Sequence, residues 1–193
     1  MKNHRKKIRQ PKLSPAQKEF IYAQPLSVQF RIIHIDAGSG CAVYQHLLVD
    51  TAERDYKQVV TVAKAYARET NCRINPVIMP QAKRARQILF PGIEDNANPD
   101  LTTDKYGYID VKSPHNKNNV VRNANSASAQ GAIAVITDLT INEVLRHKMI
   151  LQLTHKIFSE QNKNLLGDSN YIKDEVHWFV KGELLKYNRS KKH

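Results

Sequence analysis

Cysteine is scarce in this sequence, since Cys41 and Cys72 are the only two among 193 residues. Two thiols are too few for a disulfide framework or a four-cysteine zinc site. We therefore expect both to be reduced and buried as small apolar residues, as in a cytoplasmic protein. Long apolar runs are also missing, and none approaches the length needed to cross a bilayer, which predicts a soluble chain. The basic start at Met1–Lys7 lacks the apolar core of an export signal.

Length and composition fit one globular domain. A chain of 193 residues can bury a core without disulfides or a structural metal. Its 41% hydrophobic and 25% charged residues are typical of a folded protein rather than a disordered one. We predict a single domain over residues 26–188, preceded by a basic arm over 1–25 and followed by a basic tail over 189–193.

Acidic residues are in deficit, with 18 Asp and Glu against 30 Lys and Arg, which leaves a net charge of +12 and a pI near 9.7. Cations that neutralise phosphates release condensed counterions, so this balance favours nucleic acid as the partner. The charge is concentrated in the two terminal arms. These arms either contact nucleic acid or only keep the chain in solution. A membrane surface is disfavoured because no amphipathic apolar face accompanies the charge.

The first half of the chain predicts a β-hairpin followed by a helix, a strand and a second helix. Gly38 and Gly40 lie between two β-rich runs and permit a tight connection. Pro76 cannot donate to a strand ladder, so its strand is expected at an edge or a bulge. The predicted elements are strands over 28–35 and 41–49, a helix over 51–69, a strand over 73–79 and a basic helix over 81–89.

The second half predicts a strand, helix and strand that share one sheet. The apolar run 132–136 indicates a strand covered on both faces, and a right-handed parallel crossover should join it to the preceding strand. Thr140 and Glu143 form a capping box for a later helix. The predicted elements are strands over 100–103 and 107–112, a helix over 118–130, a strand over 132–136, a helix over 140–158 and two β-rich segments between 174 and 187. The expected fold class is α/β, with a mixed sheet flanked by helices.

Charged residues that suggest chemistry gather on the strands around the connection 104–106. Asp110 and Lys112 are two residues apart on one strand, so their side chains share a face. A three-residue connection would set Asp100 directly opposite Asp110, whereas a two-residue turn would send Asp100 to the other face. Two carboxylates and an amine on one face would suit a magnesium or manganese ion that binds a phosphodiester, with the lysine orienting the attacking water.

The residues that carry a family resemblance are the helix beginning Asp55-Tyr-Lys, then Asn98-Pro-Asp-Leu, Tyr108-Ile-Asp-Val-Lys-Ser-Pro, and a helix with Asn123, Ser128 and Gln130. From Asp55 to about Tyr187 the chain resembles the tRNA-cleaving C-terminal toxin domains of bacterial contact-dependent growth inhibition systems and related proteins of mobile elements. It looks like a PD-(D/E)xK nuclease. The resemblance implies a restriction-endonuclease-like fold, hydrolysis of RNA (tRNA first) or DNA, and an immunity or regulatory protein as a partner.

The resemblance also implies roles for individual residues. Asp100 and Asp110 would bind Mg²⁺ or Mn²⁺, Lys112 would orient water, and Gln130 would lie behind them on its helix. The family places an acid on its first helix, but the matching turn here reads Lys57-Gln58. Asp55 would then be a displaced third ligand.

The polar helix after these strands offers further contacts to a nucleic-acid backbone. We predict such contacts for Lys117, Arg122, Asn123 and the loop residue His115, although the same helix face could simply be solvated. Trp178 could stack on a base, but its alternation with Val176 and Val180 favours core packing.

Two other functions stay open at this point. A metal-independent ribonuclease would use Lys112, His115 and Ser113 to promote attack by the ribose 2′-hydroxyl. A non-catalytic nucleic-acid-binding protein of a mobile element would have the fold without the reaction.

Overall fold

The computed structural model describes residues 13–69, 73–89, 97–137, 147–163 and 174–189. Over these residues the fold is mixed α/β, as the sequence predicts, with one eight-stranded sheet and five α-helices. The elements in chain order are α1 (Pro15–Tyr22), β1 (Phe30–Ile35), β2 (Ala42–His46), α2 (Tyr56–Ala67), β3 (Val77–Ile78), α3 (Lys83–Leu89), β4 (Leu101–Thr103), β5 (Gly107–Lys112), α4 (Val120–Ser128), β6 (Ile133–Thr137), α5 (His147–Lys163), β7 (Glu175–Val180) and β8 (Glu183–Asn188).

The strands lie in the sheet in the same order as in the chain, from β1 to β8. Pairing is parallel for β2 with β3, β5 with β6 and β6 with β7, and antiparallel for the other four neighbouring pairs. The predicted parallel pairing of the strands on either side of α4 is confirmed. β6 is buried along its whole length, as expected for a strand covered on both faces.

Two apolar clusters hold the sheet to its helices, one on each face. The first contains Val59, Val62 and Tyr66 of α2 packed against strand residues such as Ile109. The helical spacing of these residues puts them on one stripe of α2. The second contains residues of α4 and α5 packed around Trp178, which is fully buried and donates its indole N–H to Thr154 Oγ1 at 2.9 Å. The prediction that Trp178 packs in the core is confirmed.

The antiparallel pair β4–β5 is the part of the fold that positions the carboxylates. A three-residue connection, 104–106, joins the strands, and the left-handed φ of Gly107 (66°) closes it. Leu101 pairs with Ile109 and Thr103 with Gly107. Asp100 and Asp110 each lie one residue beyond the paired residues Leu101 and Ile109, in the register predicted for a three-residue connection, and the Asp100 N–H donates to the Ile109 carbonyl at 3.0 Å.

Several boundaries differ from the sequence prediction. The helix predicted from Thr51 begins at Tyr56. The strand predicted over 73–79 contains only Val77 and Ile78, and its expected edge position is wrong because it pairs with β2 on one side and β4 on the other. Pro76 lies just before the strand, where its missing N–H leaves no ladder bond unmade, and its carbonyl accepts from Tyr44 N.

The remaining predictions concern the N-terminal arm, the two cysteines and segments that lie outside the described residues. Helix α1 lies within the predicted basic arm, where Ser14 and Gln17 form a capping box. Cys41 is buried, as predicted. Cys72, the capping box of Thr140 and Glu143, and the terminal segments 1–12 and 190–193 lie outside the described residues. Among the helices that are described, none has both the length and the apolar character needed to cross a membrane.

Candidate active site

A cavity of about 710 Å³ opens where the N-terminal part of α2 meets β4, β5 and the C-terminal end of α4. Polar side chains dominate its wall, and they carry charge of both signs. Its lining residues are Glu53, Arg54, Asp55, Tyr56, Gln58, Val59, Ile78, Gln81, Asn98, Asp100, Asp110, Val111, Lys112, Ser113, His115, Asn123 and Gln130. The structure therefore brings most of the site residues predicted from the sequence into one concave surface.

Asp100, Asp110 and Lys112 meet at one end of the β4–β5 pair. Lys112 Nζ lies 2.6 Å from Asp110 Oδ2, an ion pair in which the carboxylate is almost fully buried. The backbone N–H of Val111 donates to Asp100 Oδ2 at 2.7 Å, which holds the second carboxyl beside the first. The strand register thus delivers two acids and an amine to the same wall of the cavity.

The electrostatics of the two aspartates favour a cation between them. Burial, and after it the negative charge of Asp110, raise the pKa of Asp100 to about 7, although the N–H of Val111 and the ammonium of Lys112 oppose the rise. Burial also raises the pKa of Asp110, against the lowering effect of Lys112. Two neighbouring buried carboxylates repel each other and lose hydration. A divalent cation would offset both costs.

Gln130 supports Asp110 from the turn just after α4, since the helix ends at Ser128 and not at Gln130 as predicted. Its Nε2 donates to Asp110 Oδ2 at 3.3 Å and to the Ser126 carbonyl at 3.2 Å, while its Oε1 accepts from the backbone N–H of Asn98 at 2.7 Å. Gly131 follows with a left-handed φ of 69°, which ends the helix so that Gln130 faces β5. Gln130 thereby joins the segment before β4, the helix and the buried carboxylate.

The donor set fits a magnesium-like ion held by few protein ligands. Carboxylate oxygens suit a hard divalent cation, which commonly keeps several waters and a substrate phosphate as its other ligands. Within the described residues, no three His, Cys, Asp or Glu side chains are grouped to hold a metal. Asp55 lines the same cavity but is exposed, and it does not complete such a group with Asp100 and Asp110.

A second polar contact, which the sequence prediction missed, joins α2 to the end of β5. Ser113 Oγ donates to Gln58 Oε1 at 2.9 Å, and Thr137 Oγ1 lies 3.1 Å from the same hydroxyl. Gln58 lies in the first turn of α2, and its partner Ser113 follows β5, so the two residues meet only in the folded chain.

The predicted backbone-contacting residues divide into two groups. His115 and Asn123 line the cavity. Lys117 and Arg122 are exposed and lie outside its lining. Arg54 and Gln81 line the cavity although no pattern in the sequence marks them.

Comparison of the chain with protein-family models, with curated proteins and with solved structures finds no match.

Proposed function

We propose that the protein is a metal-dependent nuclease that hydrolyses phosphodiester bonds, with a restriction-endonuclease-like core of the PD-(D/E)xK type. The observation that carries the proposal is the convergence of Asp100, Asp110 and Lys112 in one polar cavity. The raised pKa of both aspartates supports it, because perturbed acids in a cleft are typical of functional sites.

Each side chain then has a defined role in hydrolysis. Asp100 and Asp110 would hold Mg²⁺ or Mn²⁺, which would supply Lewis-acid stabilisation of the charge that develops on the phosphate. Lys112 orients the attacking water from its position 2.6 Å from Asp110. Gln130 fixes the Asp110 carboxylate through its amide. The oxygen of the attacking water forms a new P–O bond, the ester P–O bond to the leaving oxygen breaks, and one proton of the water ends on the leaving oxygen.

RNA is the favoured substrate and tRNA the first candidate, on the strength of the resemblance to tRNA-cleaving toxin domains. The net charge of +12 supports a polyanionic substrate of either sugar type. A cytoplasmic location, a toxin or mobile-element role, and an immunity or regulatory partner belong to the same proposal.

Cleavage assays test the proposal directly. Wild-type protein should cut tRNA in magnesium or manganese and stop when a chelator is added. Asp110→Ala and Lys112→Ala should each lose about 100-fold or more of the cleavage rate, the scale of a lost catalytic group. Asp104→Ala, an exposed aspartate in the β4–β5 connection, is the matched control and should cut like wild type. Cleavage of DNA under the same conditions measures the sugar preference.

One observation favours a second candidate, a metal-independent ribonuclease. Ser113, His115 and Lys112 line the same cavity and could promote attack by a ribose 2′-hydroxyl. Chelator-resistant cleavage of RNA, with DNA left intact, would replace the first proposal with this one. Binding of nucleic acid without cleavage under any of these conditions would support the third possibility, a non-catalytic nucleic-acid-binding protein.

A further inference from the structure

A second groove adjoins the catalytic cavity on the outer side of α2. It has a volume of about 360 Å³ and lies between α2 and β1, lined by Ile33, Tyr56, Lys57, Val60, Thr61 and Lys64. Tyr56 lines the catalytic cavity as well. The two depressions are therefore neighbours that share Tyr56.

The charge of the groove is of one sign. Its lining contains two lysines and no acidic residue. Lys57, Thr61 and Lys64 are spaced four and three residues apart, so they lie along one face of α2, and the two lysines are about 10.5 Å apart along the helix axis. Neither lysine forms an ion pair with any residue in the ranges described above. Exposed Arg31 of β1 acts electrostatically on the Tyr56 phenol and adds a third cation nearby.

The floor of the groove is suited to a base rather than to a phosphate. Ile33 and Val60 provide apolar surface beside the ring of Tyr56. The Tyr56 hydroxyl donates to Gln45 Oε1 at 2.5 Å, which holds the ring in place between the cavity and the groove. Cations that follow a backbone, combined with an aromatic and apolar platform, are the usual means of binding single-stranded nucleic acid. In a duplex the base faces are already stacked.

We infer that this groove, lined by Tyr56, Lys57 and Lys64 and with Arg31 nearby, binds the single-stranded nucleic acid that extends from the phosphodiester in the catalytic cavity. The path of the nucleic acid from the catalytic cavity into the groove rests on the proposed nuclease function. The affinity of the groove for single-stranded nucleic acid can be measured without cleavage. An acidic protein segment is the competing occupant. A groove that binds such a segment would not distinguish a single-stranded nucleic acid from a duplex.

The test is fluorescence anisotropy with a labelled oligodeoxythymidylate of about 12 nucleotides in the presence of chelator. Neither proposed cleavage route operates there, because the probe lacks a 2′-hydroxyl and the solution lacks free divalent metal. Titrations between about 50 and 200 mM salt give the slope of log K against log[salt]. Lys57→Ala/Lys64→Ala is compared with wild type and with Lys148→Ala/Lys156→Ala, which removes the same charge from exposed positions on α5.

The groove variant should bind about ten-fold more weakly, and its salt slope should be smaller by about 1.4, which corresponds to two lost single-strand phosphate contacts. The α5 variant should keep the wild-type slope. An unchanged slope in the groove variant, a wild type that does not bind the probe, or equal affinity for a duplex of the same length would each overturn the inference. If wild type binds as expected but cuts neither RNA nor DNA, the nuclease proposal fails while the groove inference stands.

Discussion

Replacing Asp100 by Asn should make the protein more stable at pH 8 and inactive as a nuclease. The substitution preserves shape, and the asparagine oxygen can still accept the Val111 N–H that now bonds to Asp100 at 2.7 Å. It removes the charge that repels Asp110 in a buried setting. If Asp100 served only as a hydrogen-bond acceptor for Val111, its replacement would instead destabilise the fold.

The size of the effect follows from the pKa of Asp100, which burial and the charge of Asp110 raise from 3.8 to about 7. Because the folded pKa exceeds the unfolded one, the native state keeps a proton that the unfolded chain releases, and wild-type stability falls as pH rises from about 4 to 7. Between pH 5 and 8 the ionisation of Asp100 lowers the free energy of unfolding of wild type by about 2 to 3 kcal/mol. Asp100→Asn has no carboxyl at this position, so its free energy of unfolding should not decrease in this way.

Urea unfolding at pH 5 and pH 8, in chelator, measures the difference for wild type and Asp100→Asn. Asp104→Asn, which changes an exposed acid in the adjoining connection, should follow the wild-type pH dependence. Equal pH dependence in wild type and Asp100→Asn, or an Asn variant that is less stable than wild type at pH 8, would refute the electrostatic account of the site.

Three further predictions concern other parts of the molecule. Gln58→Ala removes the acceptor of Ser113 and should lower the cleavage rate about ten-fold, whereas Gln58→Glu, which keeps an acceptor, should recover part of it in a tRNA assay. Burial lowers the pKa of His177 from 6.5 to about 3, so the free energy of unfolding decreases as pH falls below 6.5. Urea unfolding should show that the decrease between pH 7.5 and 5 is about 2 kcal/mol smaller in His177→Gln than in wild type. Thr154→Val leaves the buried indole N–H of Trp178 without its acceptor and should cost about 1 to 3 kcal/mol by the same method, whereas no loss would exclude that bond as a stabilising contact.

The local parts of the fold and site could be predicted from the sequence. The β4–β5 register follows from two β-rich runs separated by three residues, and it brings Asp100 and Asp110 to the same end of the pair. The tight connection at Lys181 and Gly182, both with left-handed φ, follows from a similar local pattern. These features depend on residues close together in the chain, where turn chemistry and strand alternation determine the outcome.

Most of the remainder depends on contacts between segments that are distant in the chain. The contact between Ser113 and Gln58 joins residues 55 apart, so no local pattern reveals it. The high pKa of Asp100 results from burial, which becomes visible only after the helices pack. The central place of β3 in the sheet depends on partners before and after it in the chain. Helix α1 is different, because the capping box of Ser14 and Gln17 is a readable local signal.

The agreement of strand order with chain order bears on how the molecule folds. The antiparallel pairs β1–β2, β4–β5 and β7–β8 have short connections, so the entropy lost in closing them is small, whereas the other neighbouring strands are joined by much longer segments. The hydrogen bond between the Tyr66 hydroxyl and His177 Nδ1 is longer in range still, because it spans 111 residues and links α2 to β7 near the far edge. We expect the β4–β5 pair to form early and the attachment of α2, which completes the cavity, to come late. Catalytic competence would then be acquired only when nearly the whole chain has folded.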